Sequence, residues 1–327
     1  MSKRFTLQCI AACALAAATA LPGLAQAQTK LKWAHVYETS EPFHKWSVWA
    51  GEEIKKRTNG RYEVTVFPAS TLGKESDINQ GLQLGTVDII LTGASFAARS
   101  YQPLAISYFP FIFRDAEHQL KYARSDVFRE LAGGYDKASG NHIVALNYYG
   151  ARHVTSNKPV VKPEDMKGLK IRVPDAPAYL AFPKSLGANP TPIAFAEVYL
   201  ALQNGTVDAQ ENPLPTIEAK KFYEVQKNIS LTGHIVDSLL SIVSGQLWTK
   251  LSDADKKIFT EVMQEAADKT GRDIIASEAR LVDEFKKKGK NVIVVDKNAF
   301  RQAVLKAAKP TDFGYRQADY DRIQAIK

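Results

Sequence analysis

Cysteine is missing from all but the start of this sequence: Cys9 and Cys13 are the two that the 327-residue chain contains. From residue 14 onward the chain has no thiol nucleophile and no means of building a thiolate zinc cage or a disulfide framework. It also has no phosphate-cradling glycine loop, no Gly-x-Ser-x-Gly elbow and no His-Glu-x-x-His pair. The six histidines (35, 44, 118, 142, 153 and 234) are scattered, without metal-ligand spacing. Asp and Glu are plentiful, but no spacing selects an acid–base pair. The formal net charge of +8 comes from dispersed residues, with no Arg-rich tract and no basic stripe interleaved with aromatics. Nucleic acid is therefore excluded as the expected partner. No enzyme class, metal or cofactor has a motif of its own here, and a binding protein is the expectation.

What is present is the composition of a folded chain, 45% hydrophobic and 24% charged, long enough for about two domains. Residues 1–27 differ from the rest. Lys3 and Arg4 precede an apolar run from Ile10 to Leu21, Pro22-Gly23 break it, and Ala25-Gln26-Ala27 has the small-x-small pattern of a signal-peptidase site. The run is shorter than the ~20 residues of a membrane span. Export with cleavage after Ala27 is expected, leaving a protein in the periplasm that coheres by core burial alone. A lipoprotein signal ending at Cys13 ranks below it, because its apolar segment would be barely two turns long.

The remaining chain alternates strands with helices. Leu31–Val36 reads as a strand, and Pro42 opens a helix that ends in Lys55-Lys56-Arg57 before Asn59-Gly60. Tyr62–Phe67 closes a β-α-β unit. A helix over 74–84, stopped by Gly85, feeds a strand over 87–91. Such alternation predicts an α/β sheet with its ligand site beyond the carboxyl ends of the strands, where the loop His35–Glu41 lies. Phe109–Phe113 reads as core or lobe-interface packing, and 143–148 as a strand. After Gly150 the pattern restarts with Arg152, a proline-bearing turn, and Gly187–Pro190 ahead of a helix over 195–204. The tail from Pro310 is polar and expected on the surface.

Three features organise this pattern. In Lys167–Pro174, Leu169, Ile171 and Val173 share one face of a short strand, and Lys170 and Arg172 the other. That geometry holds a two-pronged guanidinium at the end of a packed strand, a ready donor for a carboxylate or phosphate. Second, Leu202–Asp208 repeats Leu82–Asp88, differing only at Asn204 against Leu84. In both copies a helix ends on glycine and a strand begins, which predicts two lobes of related architecture with a cleft between them. Third, residues 252–288 are helical almost without a break, long enough to be a strut across both lobes. Gln210 and Asn212 alternate onto one strand face before Pro213, and Phe195 opens its helix where an aromatic can wall a pocket.

These residues resemble the solute receptors of tripartite ATP-independent periplasmic (TRAP) transporters, of the dicarboxylate-receptor (DctP) type. The resemblance is carried by Asp165–Pro174, Gly187–Pro192, Glu197–Gln203, Val207–Pro213 and Lys221–Lys227, and it extends over essentially all of the chain after the leader. It implies an α/β, two-lobed periplasmic-binding-protein clamshell with a long helix spanning both lobes. It further implies that Arg172 pairs with a ligand carboxylate, with support from Arg152 and Asn212 and an aromatic wall at Phe195, and that membrane permease subunits are partners. Ala209 stands where the family usually has glycine; this restricts the backbone and leaves the polar side chains in place.

The expected lobes are residues 28–150 with about 239–278, and residues 151–238 with about 279–327. Across the cleft the first lobe offers His35, Tyr37, Glu38, Lys74 and Glu75, with Gln210 on the far side. Glu38 and Glu75 would repel a second ligand carboxylate but suit hydroxyls. A polyhydroxylated monocarboxylate, a uronate or aldonate, is the expected ligand. A C4-dicarboxylate with Lys74 as second cation is the alternative, and a periplasmic sugar-acid lyase or hydrolase is the alternative of a different class.

Overall fold

The structure is a computed structural model that describes residues 28–327; the expected leader lies outside the described residues. Strand β1 (Thr29–Ala34) pairs in parallel with β2 (Tyr62–Phe67) and β3 (Ile89–Gly93). Helix α1 (Pro42–Arg57) crosses between β1 and β2, and α2 (Glu75–Leu84) crosses between β2 and β3. Long β4 (His142–Ser156) precedes a second set: β5 (Lys170–Val173), β6 (Asn189–Pro192), α3 (Val198–Gln203) and β7 (Ala209–Pro213). Here β5 pairs in parallel with both β6 and β7. The chain ends with β8 (Asn228–Ser230), β9 (Val236–Val243), α4 (Asp253–Lys287), β10 (Asn291–Ile293) and α5 (Gln317–Gln324).

The strand order is β2-β1-β3-β9-β4-β7-β5-β6, with β8 and β10 attached to the far part of β4. Each parallel triplet is thus followed by one antiparallel strand, β9 after β3 and β4 after β7. The repeated heptapeptide explains the likeness. Gly85 and Gly205 adopt φ of 73° and 69°, the left-handed conformation that suits glycine. The amides of Thr86 and Thr206 each return to the helix, to Gly81 O and Ala201 O at 2.9 Å. Asp88 N then bonds Lys32 O at 3.1 Å, and Asp208 N bonds Lys170 O at 2.8 Å. One local device docks a helix and launches a strand in both lobes.

Two long elements cross between the lobes. β4 pairs with β9 from His142 to Ala151, then with β7 from Arg152 to Ser156. Helix α4 is 35 residues long, about 50 Å at 1.5 Å per residue. Ser252 Oγ caps it by accepting from Asp255 N at 3.1 Å. Its first half buries Phe259, Val262 and Met263 with Leu31, Trp33 and Ile54. Its last turns bury Leu281 and Phe285 with Leu202, Ile217 and Phe222 of the second lobe. The expected strut is therefore present, and Phe109–Phe113 serves both core and interface. Phe109, Ile112 and Phe113 are buried in the first lobe, while Phe111 N reaches His234 O at 2.8 Å.

Three local readings need correction. Asn189–Pro192, to which no strand was assigned from sequence, is an edge strand; an edge tolerates proline because one side of its backbone needs no ladder partner. The strand expected to end at 148 runs on to Ser156, because Gly150 at φ 118° lets the chain bend without leaving the sheet. The polar tail is docked rather than merely laid on the surface. Pro310, Tyr315 and Ile323 are buried, and His118 Nε2 lies 2.8 Å from Ile323 O.

Candidate ligand-binding site

Arg172 is 1% exposed, in a strand whose other inner residues, Ile171 and Val173, are fully buried. Gly168 at φ 73° starts this segment, and the strand is held between β6 and β7. The Nε and Nη2 groups of Arg172 both donate to Ile193 O, at 2.9 and 2.7 Å. Its Nη1 is buried without any partner. Burial lowers the guanidinium to about 10, which leaves it charged at neutral pH. A buried, unpaired donor on a cation is costly unless something completes it. Arg172 lines a small cavity of about 20 Å³ between the lobes, together with Glu75, Lys74, Phe96, Asp175 and Phe195. Phe195 stands 5.9 Å from the guanidinium carbon and 6.1 Å from Tyr37 of the first lobe.

Arg152 is equally buried but differently held. It donates through Nε and Nη2 to the carboxylate of Glu211, through Nη1 to Asp237 Oδ2 at 2.8 Å, and through Nη2 to Asn212 Oδ1 at 3.2 Å. Burial pushes the Glu211 carboxyl up, but the Arg152 charge together with the hydrogen bonds from His234 and Arg152 outweighs it and holds Glu211 below the usual carboxylate range. Asp237, buried in an apolar strand, is raised by desolvation. Asn212 Nδ2 donates to Gln210 Oε1 at 2.6 Å, and Gln210 Nε2 donates to Thr155 Oγ1 at 2.9 Å. A continuous buried polar line therefore runs from Arg152 through Asn212 and Gln210 into the second lobe.

Of the first-lobe residues picked out from sequence, the structure brings Lys74 and Glu75 to the cavity that Arg172 lines. Glu75 Oε1 accepts from Gly93 N at 2.7 Å and Thr92 Oγ1 at 2.9 Å, and burial raises its carboxyl to about 7. Lys74 Nζ lies 3.1 Å from Glu197 across the seam. Glu38 accepts from Lys220 of the second lobe at 2.6 Å. Tyr37 is packed among Phe43, Tyr149 and Phe195. His35 sits deeper, 3.3 Å from His44, and burial pushes its imidazole down to about 3, so it is neutral.

Reasoning from sequence missed Glu211 and Asp237 as partners of Arg152, and Glu41 as a contact between lobes. Glu41 is buried, accepts from Thr216 Oγ1 at 2.7 Å and from Glu38 N at 2.8 Å, and burial raises it to about 7. A signal existed for Asp237: a lone carboxylate inside Ile235–Leu240 needs a buried partner. Nothing in the sequence distinguished Glu41 from the many exposed acids. Among the described residues there is no cluster of three or more metal-ligating side chains, and no helix is long and apolar enough to cross a membrane.

The family model of the bacterial extracellular solute-binding protein, family 7 (DctP), matches residues 33–312. The chain belongs to this family. It is 37% identical to the sialic acid-binding periplasmic protein SiaP of Vibrio cholerae, over 84% of this chain and 86% of that one. A TRAP solute-binding protein of Polaromonas sp. bound to D-erythronate superposes with a TM-score of 0.88 at 34% identity, covering 92% of this chain and 99% of the other. Another, from Sulfurospirillum deleyianum with bound succinate, has a TM-score of 0.85 at 29% identity, covering 92% and 99%. The DctP-type receptor described here is thus a transport protein and not an enzyme. It binds a small organic acid and works with membrane permease subunits.

Proposed function

We propose that this receptor captures a polyhydroxy monocarboxylate, an aldonate or uronate, in the periplasm after cleavage of its leader behind Ala27. The observation that carries the reading is the unpartnered Nη1 of Arg172 at a cavity that Glu75 faces from the other lobe. One free guanidinium edge suits one carboxylate. The other cations at the seam already have anions: Lys220 has Glu38, Lys74 has Glu197, and Arg152 has Glu211 and Asp237. Glu75, with two protein donors on one oxygen, keeps its other oxygen for ligand hydroxyls and, in its ionised form, repels a second carboxylate.

In this reading Arg172 fixes the carboxylate, Asn212 and Arg152 shape the floor behind it, and Phe195 walls the ligand. Tyr37, Glu75 and Lys74 set specificity. The lobes close because the ligand bridges them, so the closed form gains stability from contacts the open form lacks. The lobes in this reading are the expected ones, 28–150 with about 239–278 and 151–238 with about 279–327, except that the end of the tail goes with the first lobe, because Tyr315 and Ile323 are buried in its core. Closure presents a two-lobed face to the permease.

A C4-dicarboxylate is the second reading, favoured by Lys74 at the cavity and by the succinate-bound relative. Titration calorimetry with L-galactonate, D-erythronate and D-glucuronate against succinate and malate separates the two. Tight binding of the dicarboxylates with none of the sugar acids sinks the first reading.

A further inference from the structure

The two crossing elements are tied to each other at one residue. In α4, Ile274 belongs to the first lobe's core, and Leu281 and Phe285 belong to the second lobe's core. The crossing in this helix therefore lies between 274 and 281, and Glu278 is inside it. In β4 the pairing passes from β9 to β7 between Ala151 and Arg152. The register shifts just before, between Tyr148 and Gly150. Glu278 Oε1 accepts from Ala151 N at 2.6 Å, and Oε2 accepts from Tyr148 OH at 2.8 Å. One carboxylate brackets the bend on both sides.

The bend leaves room for little else. Gly150 has φ 118°, a conformation L side chains rarely adopt. A Cβ there would lie 2.8 Å from Pro213 Cβ and 2.9 Å from Glu278 Oε1. The residue after the clasp is Arg152, whose guanidinium organises Glu211, Asp237 and Asn212. A bond that sets the angle of Ala151 therefore also sets the approach of that network to Arg172. The buried carboxylate has a structural cost, since desolvation raises Glu278 above the usual range. A helix strut needs no such group for packing alone; at Gly271, two turns earlier, a Cβ would meet Tyr148 in ordinary van der Waals contact at 3.6 Å.

We propose that Glu278 is the pin of the interlobe hinge, a positioning residue that holds β4 and α4 at a common pivot and sets the angle at which the lobes close. The inference rests on the clamp reading of the cleft. The mature chain has no native cysteine to interfere, so spin labels can be placed at Leu84→Cys in the first lobe and Val294→Cys in the second, both strongly exposed. Interlobe distances are then measured by pulsed electron resonance in the full mature chain, with and without the panel of L-galactonate, D-erythronate, D-glucuronate and succinate.

The expected result is a broadened, shifted distance distribution in Glu278→Ala, with affinity for whichever acid binds the parent lowered about tenfold, or ~1.4 kcal/mol. Glu278→Gln, which keeps an oxygen for Ala151 N, should lie close to the parent. Asp273→Ala removes a carboxylate of the same helix whose partners, Lys45 and Trp46, are within the first lobe, and it should leave the distances unchanged. Equal distributions in Glu278→Ala and the parent overturn the pin, as does an equal change in Asp273→Ala. Should Glu278→Ala not fold, Glu278→Met, which fills the same space without a carboxylate for Ala151 N and Tyr148 OH, takes its place, and a distribution equal to the parent's overturns the pin. If the parent's distance ignores every acid that calorimetry shows to bind, the clamp reading fails instead, which is a different outcome.

Discussion

Arg152 and Arg172 flank the same strand, β7, and each is about 1% exposed, yet the protein treats them in opposite ways. Arg152 is surrounded by two carboxylates and an amide oxygen. Arg172 has one carbonyl, shared by two of its nitrogens, and a third nitrogen with nothing. The first is an ion-pair network that orders the lobe. The second is a charge held in low dielectric and left incomplete on the side of the cleft. The difference teaches that burial alone does not nominate a ligand contact; the missing partner is what makes Arg172 the candidate.

The contrast makes the two arginines fail differently when removed. Arg172→Ala should abolish most ligand binding, by several kcal/mol, because a desolvated charge pair is lost. Its thermal midpoint should hold or rise, since an incompletely paired buried cation goes with it. A loss of affinity below tenfold, ~1.4 kcal/mol, would put the carboxylate elsewhere. Arg152→Ala should instead lower unfolding stability by about 3–5 kcal/mol in urea titrations, because Glu211 and Asp237 stay behind without their cation. Restoring part of that stability with Asp237→Asn in the same chain would confirm the cause.

Glu41 sharpens the comparison through pH. Burial raises it from 4.5 to about 7, so the folded protein keeps a proton that the unfolded chain has released. The stability this contributes is full below about pH 4.5 and lost as pH climbs through about 7. Parent stability minus that of Glu41→Gln should therefore fall across this window, on the order of 1–3 kcal/mol, and be flat above it. A difference that rises with pH would contradict the burial account. The smallest effect belongs to Lys74→Ala. Its bridge to Glu197 is more than half exposed at both ends, so affinity for a sugar acid should change by less than about 1 kcal/mol. A large loss there would favour a second ligand carboxylate.

Much of this was written in local chemistry. The left-handed glycines at 85 and 205, the period-two strand around Arg172 and the uninterrupted helix after Ser252 are set by neighbours in sequence, and they came through in the fold. The two lobes followed from the repeated heptapeptide. Tertiary placement was not legible: that Glu38 meets Lys220, that Glu41 meets Thr216, or that Glu211 and Asp237 converge on one guanidinium depends on chain segments far apart. The edge strand Asn189–Pro192 was hidden for another reason. Two prolines argue against a strand until its place at the sheet margin is known.

The most direct test of the central claim is the small molecule that leaves the purified receptor on denaturation, identified by mass spectrometry. A lone free guanidinium edge opposite Glu75 predicts a hydroxylated acid with one carboxylate. Recovery of succinate, malate or fumarate at one equivalent per chain would contradict it.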